Sequence, residues 1–344
     1  MATLITGGCG FVGFSIAERL IAEGETVVLF DLATPTAGML SRLALAGATL
    51  ITGDVRHAGD IDRALAANNI DRVIHAAAMT PNAQRERDEP RRIVEVNVVG
   101  TVNLLERVAA KPGIKRLVVL SSVAVYGFSP PSASHLFEED LSPPAPASLY
   151  GITKLAAEQA ALRIGQLRGL DVRIARLGPV YGTWENPTAA RDALSPHTQI
   201  LNMALHNRDV LLPRPMVADW IFSRDAAEGI AKLCNATKLR HDIYHVSGGT
   251  LTDLTQWCGL ISERVPGFRW KLVDSERQGN VIYSLPKDRA PLSIARLSDD
   301  TGFRPSRGLD AAAREYLDWI AASPRASSPL PLAGRGRRWG SQPQ

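Results

Sequence analysis

The 344-residue chain lacks the marks of a membrane or secreted protein. No run approaches the 18 or more apolar residues that a membrane-spanning helix needs. The first predicted strand follows Met1 directly, which leaves no room for a signal peptide. Three cysteines are present, Cys9, Cys234 and Cys258, an odd number without metal-ligand spacing. We therefore expect a cytoplasmic protein that binds no metal and does not enter a membrane.

Most of the chain also has no excess of positive or negative charge. The formal net charge is +4, but residues 323–344 carry four arginines and no acid, so the rest is close to neutral. The same segment is rich in Pro, Gly, Ser and Arg, a composition typical of a disordered tail. We therefore expect no nucleic-acid partner. The arginines are Arg325, Arg335, Arg337 and Arg338.

Hydrophobic residues make up 45% of the chain, which is ample for a large core. Strand and helix patterns alternate through the first two thirds, and this alternation predicts an α/β fold with a doubly wound parallel sheet. After Gly182 the pattern becomes irregular and indicates a smaller C-terminal substrate lobe. Strands are predicted at 2–5, 26–30, 48–51, 72–75, 116–120 and 172–175, and helices at 11–22, 61–67, 91–109, 149–167, 225–234, 254–265 and 309–322.

A glycine-rich turn joins the first predicted strand to the first helix. Gly7 permits the tight turn, Gly10 leaves room for a pyrophosphate, and Gly13 lets the helix pack closely. The helix N-terminus would face the phosphates. The next strand ends in Asp31, which would bind the adenosine ribose and repel a 2′-phosphate, so NAD is favoured over NADP. The alternatives are an ordinary strand-to-helix turn and a solvated strand-end Asp.

Tyr150 and Lys154 lie four residues apart on a predicted helix, so their side chains share one face. A tyrosine hydroxyl normally titrates near ~10, and a nearby ammonium lowers that pKa. Ser122, at a strand end, can donate a hydrogen bond to a substrate oxygen. These residues predict an acid/base site for hydride transfer, with Tyr150 exchanging the proton. A Tyr-x-x-x-Lys pair alone is more often a surface pair.

The chain resembles an extended short-chain dehydrogenase/reductase of the NAD-dependent epimerase/dehydratase type. The resemblance implies a Rossmann-type sheet and NAD as cofactor. The matching segments are Thr6-Gly7-Gly8-x-Gly10-Phe11-x-Gly13, Asp31, Gly53-Asp54-Val55, His75-Ala76-Ala77-Ala78, Asn97-x-x-Gly100-Thr101, Ser121-Ser122-x-x-Val125-Tyr126-Gly127, Tyr150-Gly151-x-x-Lys154, Arg176 and Val180-Tyr181-Gly182.

The same resemblance implies the catalytic set Ser122, Tyr150 and Lys154, with Lys154 also gripping the nicotinamide ribose. The irregular pattern after Gly182 and the tail composition predict an NAD-binding core with the catalytic residues over 1–182, a mainly substrate-binding lobe over 183–322 with some segments returning to the core, and a disordered basic tail over 323–344. The resemblance also implies a homodimer through the helices 91–109 and 149–167. The implied NAD-binding residues are Gly7, Gly10, Phe11, Val12, Gly13, Asp31, Asp54, Val55, Ala76, Ala77, Ala78, Asn97, Tyr150, Lys154, Leu177 and Val180.

Departures from the family pattern bear on the reaction. Val123 and Ala124 occupy the stretch where sugar-nucleotide dehydratases carry an Asp-Glu pair and decarboxylases a Glu. Apolar side chains cannot replace those acids, so dehydration and decarboxylation are disfavoured. Oxidation or reduction, and epimerisation through a transient ketone, both remain.

Two further departures concern the substrate, because Pro179 and Ala218 stand where sugar-nucleotide epimerases usually carry Asn and Arg. Without the Asn and Arg contacts the site loses its phosphate recognition. Arg191 or Arg214 could supply a replacement contact. Tyr126 is a further candidate for a substrate-binding residue. We expect an NAD-dependent dehydrogenase of a non-nucleotide sugar, sugar acid or polyol. A nucleotide-sugar 4-epimerase with tightly bound NAD is the alternative, and a non-catalytic NAD-binding regulator is disfavoured by the complete catalytic set.

Overall fold

The computed structural model describes residues 2–35, 38–39, 48–188, 190–283 and 288–322. Among these residues, no helix combines the length and the apolar character needed to cross a membrane. The tail predicted over 323–344 lies outside them.

The centre of the molecule is a sheet of seven parallel strands. These strands are β1 Ala2–Thr6, β2 Thr26–Asp31, β3 Ala48–Thr52, β4 Arg72–His75, β5 Arg116–Ser122, β6 Val172–Leu177 and β10 Ile243–Val246. Their spatial order is β3-β2-β1-β4-β5-β6-β10. The order reverses between β1 and β4, which is the pattern of a doubly wound Rossmann sheet, where ligands bind beyond the carboxyl ends of the strands. The predicted fold class is confirmed.

Four short strands and eleven helices complete the described elements. The strands are β7 Val180–Tyr181, β8 Val210–Leu212, β9 Ile221–Phe222 and, pairing with β8, β11 Trp270–Leu272. The helices are α1 Phe11–Ala22, α2 Ala58–Ala66, α3 Ala83–Asp88, α4 Pro90–Val94, α5 Gly100–Ala110, α6 Leu149–Arg168, α7 Pro196–Leu205, α8 Ser223–Asn235, α9 Leu254–Ser262, α10 Ala295–Thr301 and α11 Leu309–Ala321. A π-helical turn, Glu95–Val99, and two 3₁₀ turns, Val123–Tyr126 and Glu276–Gln278, lie between them.

Apolar layers cover both faces of the sheet. Successive strand residues point to opposite faces, so Ile5 packs with Leu20 of α1 and Ile230 of α8, whereas Leu4 packs with Leu104 of α5. All of these side chains are fully buried. Because the strands are buried on both faces, they read as nearly continuous apolar runs in the sequence.

The C-terminal half of the chain forms a smaller lobe and also contributes to the main sheet. A second apolar core around Leu201, Trp257 and Tyr316 joins α7, α9 and α11 into a smaller lobe. In contrast, β10 pairs with β6 as the last strand of the main sheet, and α8 packs against α1. The sequence patterns had not indicated β10. The stretch 210–215, expected to be irregular, begins with β8.

The single helix predicted over residues 91–109 contains a π-helical turn. It consists of α4, the π-helical turn and α5, which follow one another without a break. The buried Asn97 lies in the π-helical turn, and its side chain bonds to the backbone of Met79 and to Thr153. A π-turn adds one residue to a helical turn and is frequent at functional sites, and no residue type in this segment predicts it.

Candidate active site

The glycine-rich turn has the geometry expected of a phosphate cradle. Gly7 adopts a φ of +67°, and a Cβ there would lie 2.5 Å from the backbone nitrogen of Ala77. A Cβ on Gly13 would lie 2.2 Å from the carbonyl oxygen of Gly7, so α1 approaches the turn closely. Gly10, the N-cap of α1, supplies no side-chain cap, and a Cβ there would meet only the Gly7 oxygen, at 3.2 Å. The cradle therefore fits the pyrophosphate of a dinucleotide at the helix N-terminus.

Asp31 ends β2 beside this cradle. Its Oδ2 accepts a hydrogen bond from the backbone nitrogen of Cys9 at 2.9 Å, and its Oδ1 accepts one from Ala33 at 3.0 Å. Burial raises the pKa of Asp31, and these backbone hydrogen bonds oppose the increase. The carboxylate thus holds the glycine turn in place and lies at the strand end where a ribose is expected. Burial and the Asp31 charge raise the pKa of the Cys9 thiol to about 12, so Cys9 is a small buried filler.

Just after β3, the side chain of Asp54 forms an ion pair with a neighbouring arginine. Arg56 donates to both carboxylate oxygens, with Nη2 at 2.6 Å from Oδ2. Burial opposes ionisation of Asp54, but the hydrogen bonds and charge of Arg56 prevail and lower its pKa. Val55 packs against Gly100, where a Cβ would lie 2.7 Å from a Val55 methyl group. The Asp54 side chain is therefore partly used by Arg56.

At the end of β4, His75 joins the sheet to α5. Its Nε2 lies 2.9 Å from the Thr101 hydroxyl, which itself donates to the Asn97 carbonyl oxygen, so Nε2 carries the proton. Its Nδ1 lies 2.6 Å from the Thr6 hydroxyl and accepts from it. Burial and the charge of Lys154 lower the pKa of His75 to about 3, so the ring is neutral. The histidine is a structural link beneath the segment Ala76, Ala77 and Ala78, which borders the glycine cradle.

Ser122, Tyr150 and Lys154 converge at the end of β5. Lys154 Nζ lies 5.9 Å from the centre of the Tyr150 ring and donates to the Leu120 carbonyl oxygen at 2.8 Å. Burial raises the pKa of Tyr150, while side-chain hydrogen bonds with Ser122 and Thr80 and the charge of Arg191 act in the opposite direction. Burial lowers the pKa of Lys154 to about 8, against the effect of Glu158. The hydroxyl, phenol and ammonium needed for proton transfer therefore meet at one point of the sheet edge.

The remaining cofactor candidates border this point. Leu177 ends β6 beside Ser122, to which it is paired in register, and Val180 follows in β7. Asn97 fixes the loop after β4, because its Oδ1 accepts from the Met79 nitrogen at 2.8 Å and its Nδ2 donates to the Met79 carbonyl. The side chain of Asn97 is thus occupied in holding one wall of the cleft, the region beyond the carboxyl ends of β1, β4 and β5 that the glycine turn, Ser122 and Tyr150 border.

The three substrate candidates have different surroundings. Tyr126 is fully buried, with its hydroxyl 2.6 Å from His245 Nε2, so the structure does not bring it to the cleft. Arg191 lies with its guanidinium 5.0 Å from the centre of the Phe11 ring and is anchored by Glu185. Arg214 pairs with Asp288 in the lobe.

Two polar residues that the sequence had not indicated also lie at the cleft. The Thr80 side chain lies close enough to the Tyr150 phenol to lower its pKa, and the Thr80 backbone nitrogen donates to the Ala190 carbonyl at 2.8 Å. Arg289 donates to the carbonyl oxygens of Val123 and Gly127, at 3.3 and 2.9 Å, on the turn that follows Ser122. No local motif marks either residue, because both reach the site through contacts between distant segments.

The sheet order, the cradle and the Ser-Tyr-Lys set define an NAD-dependent enzyme with a Rossmann fold. Residues 3–247 match the model of the NAD dependent epimerase/dehydratase family, and the chain belongs to that family.

Known proteins similar to the chain span most of its length. A dTDP-glucose 4,6-dehydratase of Streptomyces antibioticus is 27% identical over 337 residues, covering 93% of this chain and 92% of that protein. A sterol demethylase protein B of Methylococcus capsulatus is 30% identical over 259 residues, 75% of this chain and 73% of that protein. The crystal structure of a Thermus thermophilus UDP-glucose 4-epimerase in complex with NAD superimposes with a TM-score of 0.76 at 26% identity, covering 94% of this chain and all of that one. These activities differ, so the family is fixed and the substrate is not.

Proposed function

We propose that the protein oxidises a hydroxyl-bearing carbon of a carbohydrate-like substrate, with Tyr150 as the base. NAD, when bound, supplies the hydride acceptor. The observation that supports this reaction is the meeting of Ser122, Tyr150 and Lys154 at the end of β5. Tyr150 Oη takes the proton of the substrate hydroxyl, Ser122 Oγ donates a hydrogen bond to the same oxygen, and Lys154 Nζ favours the phenolate.

The cofactor contacts are part of the proposal. The amides of α1 after Gly10 would bind the pyrophosphate, and Asp31 would accept hydrogen bonds from the adenosine ribose. Lys154 would bind the nicotinamide ribose. The other residues that would line the cofactor are Gly7, Phe11, Val12, Gly13, Asp54, Val55, Ala76, Ala77, Ala78, Asn97, Leu177 and Val180.

The substrate we propose is a small sugar, sugar acid or polyol without a nucleotide. Val123 and Ala124 supply no acid for dehydration, and Pro179 and Ala218 supply no phosphate contact. Arg289 favours the sugar acid within this class, since its guanidinium lies on the catalytic turn and, among the described residues, it donates to two backbone oxygens and to no carboxylate. A carboxylate of the substrate would give this half-buried cation a charged partner.

A nucleotide-sugar 4-epimerase is the second candidate. It is favoured by the activity named for a similar protein, a UDP-glucose 4-epimerase, and by three arginines, Arg191, Arg214 and Arg289, any of which could take the place of the missing phosphate contacts. An epimerase returns the hydride within one turnover, whereas a dehydrogenase releases NADH. The two candidates therefore differ in net NADH.

The test has two parts, both with the NAD-loaded protein. A panel of sugars, sugar acids and polyols is screened for NADH formation by absorbance, and UDP-glucose, UDP-galactose and their glucuronate analogues are titrated by calorimetry. We expect NADH from a small substrate and weak or no binding of the nucleotides. If a sugar nucleotide instead binds with micromolar affinity and is interconverted at C4 without net NADH, the protein is assigned as the epimerase.

We also propose a homodimer. Val94, Val99 and Ile152 expose 38%, 44% and 50% of their surface on α4, the π-helical turn and α6, helices that contact one another. An exposed apolar set of this kind is typical of a surface that a second subunit covers. Light scattering after gel filtration should give twice the chain mass, and Ile152→Glu together with Val99→Glu should give the single mass.

A further inference from the structure

Three consecutive residues of β5 contact three residues spaced one helical turn apart on α6. The Leu120 carbonyl accepts from Lys154 Nζ at 2.8 Å, and the Ser122 side chain lies close enough to the Tyr150 phenol to lower its pKa. Between them, the Ser121 hydroxyl donates to the Glu158 carboxylate. Glu158 is therefore the next member of the same row, one turn beyond Lys154.

The Glu158 carboxylate is buried and held rigidly. Its side chain has no solvent exposure, and Arg176 of β6 binds it with both Nε, at 3.0 Å, and Nη2, at 2.7 Å. The remaining Arg176 nitrogen, Nη1, donates to the Tyr126 hydroxyl at 2.9 Å, and that hydroxyl contacts His245. The carboxylate therefore cannot swing away from α6, and its orientation is fixed from β5 and β6 together.

Several charged or titratable groups face Lys154. Tyr150 and Glu158 lie on its own helix, His75 faces it from β4, and Arg176 reaches it only through Glu158. His75 is neutral, as its hydrogen bonds require. Among these groups Glu158 is the anion, and an anion beside a buried ammonium favours the charged form.

We propose that Glu158 is a positioning residue that keeps Lys154 protonated, and that it acts on the acid/base step through Lys154 and Tyr150. Glu158 touches neither the phenol nor the cleft. Ser121 and Arg176 hold its carboxylate in place, and the effect on Lys154 is electrostatic across one helical turn. This inference rests on the proposed function, in which the Lys154 charge favours the Tyr150 phenolate.

The test measures the pH titration of the Lys154 ammonium by NMR in ¹³Cε-lysine-labelled protein, with and without NAD. The signal that disappears in Lys154→Met is assigned to Lys154. In Glu158→Gln, we expect the titration midpoint of Lys154 to move down by about one pH unit. The measurement needs no turnover, so it stands even if no substrate is found. A purely structural Glu158 would leave the midpoint where it is in the parent.

Two variants separate charge from stability. Ser121→Ala removes a hydrogen bond and keeps the carboxylate charge, so it should lower Tm without moving the midpoint. Asp225→Asn removes another buried carboxylate, which lies on α8 and pairs with Arg307, and should behave in the same way. If Glu158→Gln does not fold because Arg176 loses its partner, Glu158→Gln with Arg176→Met removes both buried charges. An unshifted Lys154 midpoint in folded Glu158→Gln overturns the proposal, and so does a double variant with the same midpoint as Arg176→Met, which keeps the Glu158 charge.

Discussion

The guanidinium of Arg191 lies 5.0 Å from the centre of the Phe11 ring, so a residue of the segment after β7 covers the first turn of α1. Glu185 fixes this arginine, since it binds Arg191 and is itself held by Ser195 and Thr198 at the start of α7. The Arg191 guanidinium therefore lies beside the glycine-rich turn, whose amides are expected to face the cofactor phosphates.

Arg191→Ala should weaken NAD binding about 10- to 100-fold, the equivalent of one charge-assisted hydrogen bond. Calorimetry with NAD, ADP-ribose and adenosine locates the effect, because only the first two carry a pyrophosphate. Arg85→Ala removes a different arginine that pairs with Asp192 in the same segment, and serves as the control. Unchanged NAD affinity with a raised substrate KM would instead assign Arg191 to the substrate.

Tyr150→Phe should leave NAD affinity nearly unchanged and reduce turnover by about 10²- to 10⁴-fold, because the ring still packs but the proton acceptor is lost. Steady-state rates and NAD titrations measure the two effects. Tyr244→Phe is the matched control, since that hydroxyl bonds to Asp300 away from the cleft. Substantial activity in Tyr150→Phe would remove the residue from the role of base.

Asp31 should give NAD at least a tenfold advantage over NADP in catalytic efficiency, because its carboxylate would face the 2′-phosphate. The sharpest variant is Asp31→Asn, which removes the charge and can still accept from the Cys9 amide. Initial rates with both cofactors should show the preference shrinking in Asp31→Asn. Equal efficiency of the two cofactors in the parent protein would contradict this assignment.

Gly13→Ala should destabilise the protein and abolish NAD binding, because the new Cβ would lie 2.2 Å from the Gly7 carbonyl oxygen and force the turn open. The control is Gly59→Ala in α2, where a Cβ would have no heavy atom within 4 Å. That substitution should raise stability by roughly 0.5–1 kcal/mol, since Ala favours a helix over Gly. Thermal unfolding with and without NAD compares the pair.

Deletion of residues 323–344 should change neither Tm nor turnover. The segment has no apolar periodicity with which to join a core. Calorimetric unfolding and the substrate screen on the shortened chain provide the check. A clear fall in either quantity would mean that the segment docks on the folded protein.

The features that local spacing determines were predictable from the sequence. The strand, glycine turn and helix from Ala2 to Ala22 lie where the sequence placed them, because each is set by neighbouring residues. Tyr150 and Lys154 share a helical face for the same reason.

Features set by distant segments were not predictable. Tyr126 followed a recognisable motif, yet its burial depends on His245 of β10, a strand that no pattern had indicated. Arg289 reaches the catalytic turn from more than 160 positions away along the chain. Glu158 alone could have been found, by extending the four-residue spacing one turn past Lys154.

The position of β10 has a consequence for synthesis on the ribosome. Until residues 243–246 have emerged, β6 is the open edge of the nascent sheet, with a row of unpaired N–H and C=O groups. The N-terminal part of a growing chain usually folds first. Here its sheet is complete only when β10 has been added, and β10 is synthesised after most of the lobe. Translation that stops within the lobe would release a sheet with an exposed edge, prone to pairing with another chain.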